Sequence, residues 1–578
     1  MMGGLLSAPL LASTAEPMAG GGAFIILVVV GLVLLGSPLF VVIGGLALSC
    51  FAAFPVDPST FDSFQNFATH VNLIEGVVQL GEKKELVAIP FFMIAGAIMS
   101  QGAIARRLVD VANACFGWLP GGLALSTIAA CMFFAAISGS SPVTVITIGA
   151  IMLPALTAAG YNGNLSLGLL TSAGSLGIII PPSIPMIVYA IFSSSAGAKV
   201  DIEDLFVAGI GPGLLIGFLL GGYCIVNSRG VTREPFDAKR LVNAVLDGVW
   251  ALFLPFFILG GIYTGVFNAT EASAISVVLA LVIELWIHRS IKVRDLPAVL
   301  GETSVLMGSI LIIVGVAFGF SEFMGMKEVP SAIVDWMISL ELTPVTFVLL
   351  LNVLLLIVGC LMDIISATIL FVPLVAPVAA LCGFDPVHVG LIFIVNLEIG
   401  YLTPPLGLNL FVASTYFGKP FGEVIRSVLP FLGILVVSLA IVTYVPTVST
   451  GFVNLRNDRP FWSSFPTQDV CEAPESSRGD DEEDDDLLLS DDIFDAGGAD
   501  DDGMTDDGGE KSIQDLMKDP EYQKLLADEV AEEEVGDDLD DDFPPEDDED
   551  EDDGGASIQD LMKDPEYRKA LREMATEE

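Results

Sequence analysis

Two short stretches hold the residues best suited to chemistry. Ser138, Gly139, Ser140, Ser141 and Pro142 are followed by Thr144, and forty residues on "IIIPPSIP" supplies Pro181, Pro182 and Ser183. A second set lies further along. "MDIISAT" contains Met362, Asp363 and Ser366, and "GYLTPPLGLN" contains Thr403, Pro404, Pro405, Gly407 and Asn409. Paired prolines break a helix and free backbone carbonyls from their intrahelical donors. Serine and threonine add hydroxyls. Carbonyls and hydroxyls are hard oxygen ligands, suited to a small cation such as Na⁺. Helix N-termini facing the same space favour an anionic group. Each serine or threonine is also a good helix cap, and Asp363 is well placed to cap the helix that follows it.

All of these residues lie in apolar sequence. The chain has 578 residues, 53% of them hydrophobic, and a mean hydropathy of +0.69. Its formal charge is −47, and residues 451–578 alone carry 47 acidic and 10 basic side chains. The chain therefore reads as an apolar membrane body of about 450 residues and an acidic tail. This charge balance excludes nucleic acid as a partner. The seven cysteines form no CxxC pair, so spacing indicates neither a zinc site nor a disulfide framework. The first twenty residues lack the basic start of a signal peptide. No nucleophile–base pair suggests an enzyme.

Apolar runs of spanning length recur up to Tyr444. The first, Ala23 to Phe54, reads as two short helices joined at "GSP". Basic clusters at Arg106/Arg107, Arg229–Arg240, Arg289–Arg294 and Lys419/Arg426 should face the cytoplasm. One threading satisfies all four. Leu123–Ala158 and Phe347–Cys382 are then re-entrant hairpins, ten helices span, and both chain ends lie outside.

A shift of 223 residues superposes the two halves. Pro154 meets Pro377, Gly177 meets Gly400, and Pro181-Pro182 meets Pro404-Pro405. Under this threading the copies enter the membrane from opposite sides. That is the pattern of an inverted-repeat secondary transporter with broken helices near the midplane. Irregular backbone is tolerated there where it lines a cavity or is buried in protein. The expected fold is all-α and polytopic. Residues 1–22 form an N-terminal segment. Repeat one covers 23–226, with a hairpin at 121–158 and a broken helix at 165–193. A cytoplasmic linker covers 227–248. Repeat two covers 249–446, with a hairpin at 343–382 and a broken helix at 387–417. Each hairpin tip should meet the break of its own copy.

Several stretches also resemble a known family. "AIPFFMIAGAIM" (88–99), "FFAAISGSSPVTVITIG" (133–149), "AGSLGIIIPPSIPMIVYA" (173–190), "PFFILGGIYTGVFNATEASA" (255–274) and "NLEIGYLTPPLGLNLFVAS" (396–414) are similar to the large membrane subunit of TRAP transporters. This is the DctM-like family of the ion-transporter superfamily. The resemblance covers roughly Gly21 to Val445. It implies an elevator-type, sodium-coupled importer of organic acids such as C4-dicarboxylates or sialic acid in the bacterial inner membrane. It also implies a small four-helix membrane subunit and an extracytoplasmic substrate-binding protein as partners. No cofactor is expected beyond Na⁺ as coupling ion. The family often has "TPTEA" where this chain has Asn268-Ala269-Thr270-Glu271, and it usually stops near Val445.

The cation-binding set is then Ser138, Gly139, Ser140, Ser141, Thr144, Gly177 and Pro181 in the first copy. In the second it is Met362, Asp363, Ser366, Thr403 and Gly407. The substrate-binding set is Pro142, Pro182, Ser183, Pro404, Pro405 and Asn409. Glu398 lies five residues before the second break, where it could pair with a helix end or take part in coupling. The histidines read as structural. The tail, 447–578, repeats "SIQDLMKDPEY" at Ser512 and Ser557 between acidic runs. The copies suit docking on a protein partner, and the acidic runs suit a solubilising role. A calcium loop at Glu549–Asp560 is the weaker reading, because it lacks the preceding helix and a terminal Glu.

Overall fold

The computed structural model describes residues 21–34, 37, 39–53, 83–228, 235–327, 329, 340, 342–405, 407–467, 470 and 471. The chain divides into two units, Met1–Asp480 and Asp481–Glu578. The second unit, the first twenty residues and both "SIQDLMKDPEY" copies lie outside the described residues.

Among the described residues the regular structure of the first unit is all helical. Its helices are α1 Gly21–Leu34, α2 Leu39–Ala53, α3 Ala88–Gln101, α4 Ile104–Phe116, α5 Gly122–Ser138, α6 Ser141–Ala158 and α7 Gly163–Ala173. Next come α8 Leu176–Ile179, α9 Ile184–Ser195, α10 Ile202–Asn227, α11 Ala238–Asp247, α12 Val249–Tyr263, α13 Ala269–Val282 and α14 Leu296–Met326. The last are α15 Pro344–Leu361, α16 Ile364–Leu381, α17 Pro386–Tyr401, α18 Leu408–Phe417, α19 Phe421–Tyr444 and α20 Thr447–Arg456. Eight described helices are long and apolar enough to cross a membrane, or up to ten if each bent pair counts as one span. The bent pairs are Gly163–Ile179 with Ile184–Ser195, at 42°, and Ala238–Asp247 with Val249–Tyr263, at 64°. By length alone α6, α15 and α16 qualify as spans, although the sequence reading folds them into hairpins.

Local chemistry explains the boundaries. The first apolar run splits into α1 and α2 around its "GSP". Pro142, Pro185, Pro344 and Pro386 occupy first-turn positions, where a missing N–H removes no helix hydrogen bond. Asn268 caps α13 and forms a capping box. Its Oδ1 accepts from Glu271 N at 2.8 Å, and Glu271 Oε2 accepts from Asn268 N at 3.1 Å. The departure from "TPTEA" thus keeps the cap.

Contacts between helix ends sort into two groups. In one, Thr270 Oγ1 donates to Lys84 O at 3.3 Å, Ala269 N donates to Glu203 at 3.2 Å, and Arg456 pairs with Asp204 at 3.2 Å. In the other, the buried Glu284 accepts from Ala103 N and Ile104 N at 3.0 and 2.9 Å, and Arg107 donates to Asp247 O. Glu284 thereby satisfies the N-terminus of α4, which has no side-chain cap of its own. His288 has a buried side chain 3.9 Å from Glu284, and His388 bonds Ser449 at 2.6 Å; His70 lies outside the described residues.

The backbones of α15 and α17 approach closely. A Cβ on Gly400 would lie 2.3 Å from the carbonyl carbon of Gly359. Gly400→Ala must push backbone against backbone, which side-chain rotation cannot relieve. We expect the purified protein to lose about 1–3 kcal/mol of stability, read as a lower melting temperature in detergent, whereas Gly433→Ala, in open space, should leave it unchanged.

Candidate functional site

The first hairpin turns at Gly139, which closes α5 with φ +58°. Ser140 follows in extended conformation, and α6 begins at Ser141. Three oxygens converge at this tip. Thr144 Oγ1 donates to Ser140 O at 2.8 Å and lies 3.0 Å from Ser138 Oγ. The broken helix α7–α9 packs directly on them. A Cβ on Gly177 would lie 2.6 Å from both Ser140 O and Thr144 Oγ1, so only hydrogen fits there. A Cβ on Gly139 would meet Pro182 O at 2.9 Å. Pro181, Pro182 and Ser183 are buried, the Pro181–Pro182 peptide is cis, and Ser183 Oγ has no protein partner.

The second pair has the same parts in a more open setting. Met362 and Asp363 are extended between α15 and α16. Asp363 caps α16, accepting from Ser366 N at 3.0 Å. Ile364 N donates to Tyr401 Oη at 3.0 Å, so this tip also rests on its own break. Thr403 Oγ1 donates to Ile399 O at 2.8 Å, and Gly407 adopts φ +52°. The Pro404–Pro405 peptide is cis as well, but both prolines are exposed. Ser366 Oγ is buried and has no protein partner.

One feature crosses the copies. Ser141 Oγ, at the first tip, donates to Glu398 Oε1 at 2.9 Å. Asn409 Nδ2 reaches Glu398 Oε1 at 2.9 Å and Ser141 Oγ at 2.6 Å. All three are buried. Sequence reasoning grouped Ser141 with the first break and Asn409 with the second tip; the fold instead joins them to each other through Glu398. The usable signal was Glu398 itself, since a carboxylate within an apolar helix marks a functional position by default. Pro142 lies beside Ser141 in the first turn of α6. The facing atoms are hydroxyl, carbonyl, amide and carboxylate groups. Among the described residues no group of three His, Cys, Asp or Glu could hold a metal ion.

The cluster can be tested without knowing the cargo. Ser141→Ala and Asn409→Ala each leave a buried oxygen of Glu398 with one donor fewer, at a cost of about 1–3 kcal/mol. The double variant should lose at least ~0.5 kcal/mol less than the sum, because the two residues share one partner. Thermal unfolding in detergent measures this, and strict additivity would mean that the three groups do not act as a unit.

The chain is 41% identical over 379 residues to the C4-dicarboxylate TRAP transporter large permease protein DctM of Pseudomonas aeruginosa, covering 65% of this chain and 88% of that one. It is 39% identical over 371 residues to the isethionate TRAP transporter permease protein DctMQ of Oleidesulfovibrio alaskensis, covering 64% and 58%. In fold it is similar to the Alcanivorax borkumensis YdaH transporter, with a TM-score of 0.52 at 15% identity over 74% of this chain and 99% of that one. Residues 24–448 match the family described as the tripartite ATP-independent periplasmic transporter, DctM component. The chain belongs to that family: it is a multi-pass membrane protein and the large permease subunit of a TRAP transporter, not an enzyme.

Proposed function

We propose that the chain imports a small organic acid across the bacterial inner membrane by coupling it to Na⁺. The observation that carries this reading is the packing of a hairpin tip on a proline break, twice. Ser140 and Thr144, with Ser138 beside them, lie against Gly177, and Gly139 lies against Pro182; at the second tip Ile364, next to Met362 and Asp363, bonds Tyr401, and Asp363 holds Ser366, with Pro181, Thr403 and Gly407 proposed as the further ligands. Each pair is a Na⁺ cage of carbonyl and hydroxyl oxygens. Ser141, Asn409 and Glu398 join the cages, and Pro142, Pro182, Ser183, Pro404 and Pro405 border the space for the substrate. The cap role of Asp363 is compatible with ligation, since only Oδ2 is engaged by Ser366 N.

The architecture favours the same reading. The base of hairpin α5–α6 shares an end with Ser228, and the base of α15–α16 shares an end with Ser449 and Asp385. Helix α10 runs between those ends, from Ile202 to Asn227, which supports hairpins that enter from opposite sides as inverted repeats. This arrangement supports an elevator movement of the hairpin-bearing part. The partners are an extracytoplasmic binding protein that delivers the acid and a small four-helix membrane subunit. The DctMQ name of the isethionate relative supports the latter. The acidic tail adds a site for a further protein partner.

Energetics require the coupling. Each negative charge carried inward costs ~2.3 kcal/mol per 100 mV. A dianion therefore needs two co-imported cations for electroneutrality and a third to gain from the potential. The test is uptake into proteoliposomes containing both membrane subunits and the binding protein, with Na⁺ varied at constant ionic strength. Ser138→Ala and Asp363→Asn should raise the half-saturating Na⁺ concentration at least about fivefold, from ~1–3 kcal/mol per lost ligand, with normal protein abundance. Uptake indifferent to Na⁺ would reject the coupling. Na⁺-dependent uptake unchanged by either substitution would reject these ligands.

A further inference from the structure

The chain does not end its folded part where the family match does, at residue 448. Helix α20 and the residues after it turn back over one end of the bundle and are anchored at five places. Cys471 forms a disulfide with Cys382, at the base of the α15–α16 hairpin, 89 residues away in sequence. Cys471 N donates to Leu342 O at 2.8 Å, at the other leg of that base. Phe465 packs edge-on against Phe384 at 5.4 Å and tilted against Tyr444 at 5.8 Å. Ser449 bonds His388 at the start of α17. Arg456 and Asn457 both reach Asp204 in the first turn of α10, at 3.2 and 3.1 Å. Ser463 ties the segment to itself through Thr447, Thr450 and Asn454.

These anchors span both halves of the protein. Asp204 belongs to the first half, and Leu342, Cys382 and His388 belong to the second. The anchored end is opposite the one where Arg107, Lys239 and Arg240 gather with Asp110, Asp237 and Asp247. Disulfides persist in oxidising compartments, and lysine- and arginine-rich ends stay in the cytoplasm. Two unrelated rules therefore place this end outside. Cys50, Cys115, Cys131, Cys224 and Cys360 remain free thiols.

We propose that residues 447–467, with 470 and 471, are a disulfide-locked clasp on the extracytoplasmic face. It joins the base of the α15–α16 hairpin to α17 and to α10, so that these elements move as one body. The hairpin can then open only at its tip, beside Asp363, and not by swinging at its base. The proposal concerns the chain's own mechanics and holds whatever acid or cation is carried.

The experiment uses the full chain in membranes, with a protease-recognition sequence inserted after the exposed Asp458. Protease added to intact spheroplasts should cut it, and the two fragments should migrate as one species until a reductant separates them. Resistance to external protease, or separation without reductant, overturns the clasp. A second measurement avoids the insertion. In the unmodified protein, hydrogen exchange at Val378–His388 should rise about 10-fold or more when the disulfide is reduced, and Cys382→Ser should show the raised rate without reductant. Exchange that ignores reduction means that the bond ties nothing, and overturns the proposal.

Discussion

The structure depends on one constraint: a backbone that leaves helical form inside a membrane must have its polar groups covered by protein. Pro181-Pro182 and Pro404-Pro405 each interrupt a helix within apolar sequence. Each interruption is held by a hairpin tip. The first tip comes so close that Gly177 has no room for a methyl group between Ser140 O and Thr144 Oγ1. The second holds its break through Tyr401 and the contact of Gly359 with Gly400. The arrangement that satisfies the backbone also concentrates oxygens, and a cation site needs little more.

The two copies are not equivalent. The first break is buried and the second exposed. The link between them is polar: Ser141 from one copy and Asn409 from the other share Glu398 Oε1. A displacement at either break therefore disturbs hydrogen bonds that belong to both. This is a short physical route by which occupancy of one proposed cage can influence the other.

Much of this was legible in the sequence, and the reasons for the gaps are specific. The repeat, the helix break at "GSP" and the pairing of each tip with its own break follow from prolines and glycines in register, which are local signals. Asp363 read both as a ligand candidate and as a cap; the cap is present in the fold, because capping needs only the next turn of the same helix, and the proposed ligation uses its other oxygen. The Ser141–Glu398–Asn409 cluster was not legible. Its members are 257 and 268 residues apart from Ser141, and only packing brings them together. The Cys382–Cys471 bond corrects the expectation that no disulfide is present. Spacing rules detect cysteines that are close in sequence, and these are joined by a segment that returns over the bundle.

Direct protection of the first cage by its cation tests the central claim most closely, since it needs neither the binding protein nor a known substrate. A cysteine placed at Ser140 in a background without the free thiols, in purified protein, is alkylated with Na⁺ or with choline at equal ionic strength. The expected result is a saturable slowing of alkylation by Na⁺ that is lost when Gly177 is replaced by alanine. Equal rates in Na⁺ and choline would contradict a cation bound between the hairpin tip and the broken helix.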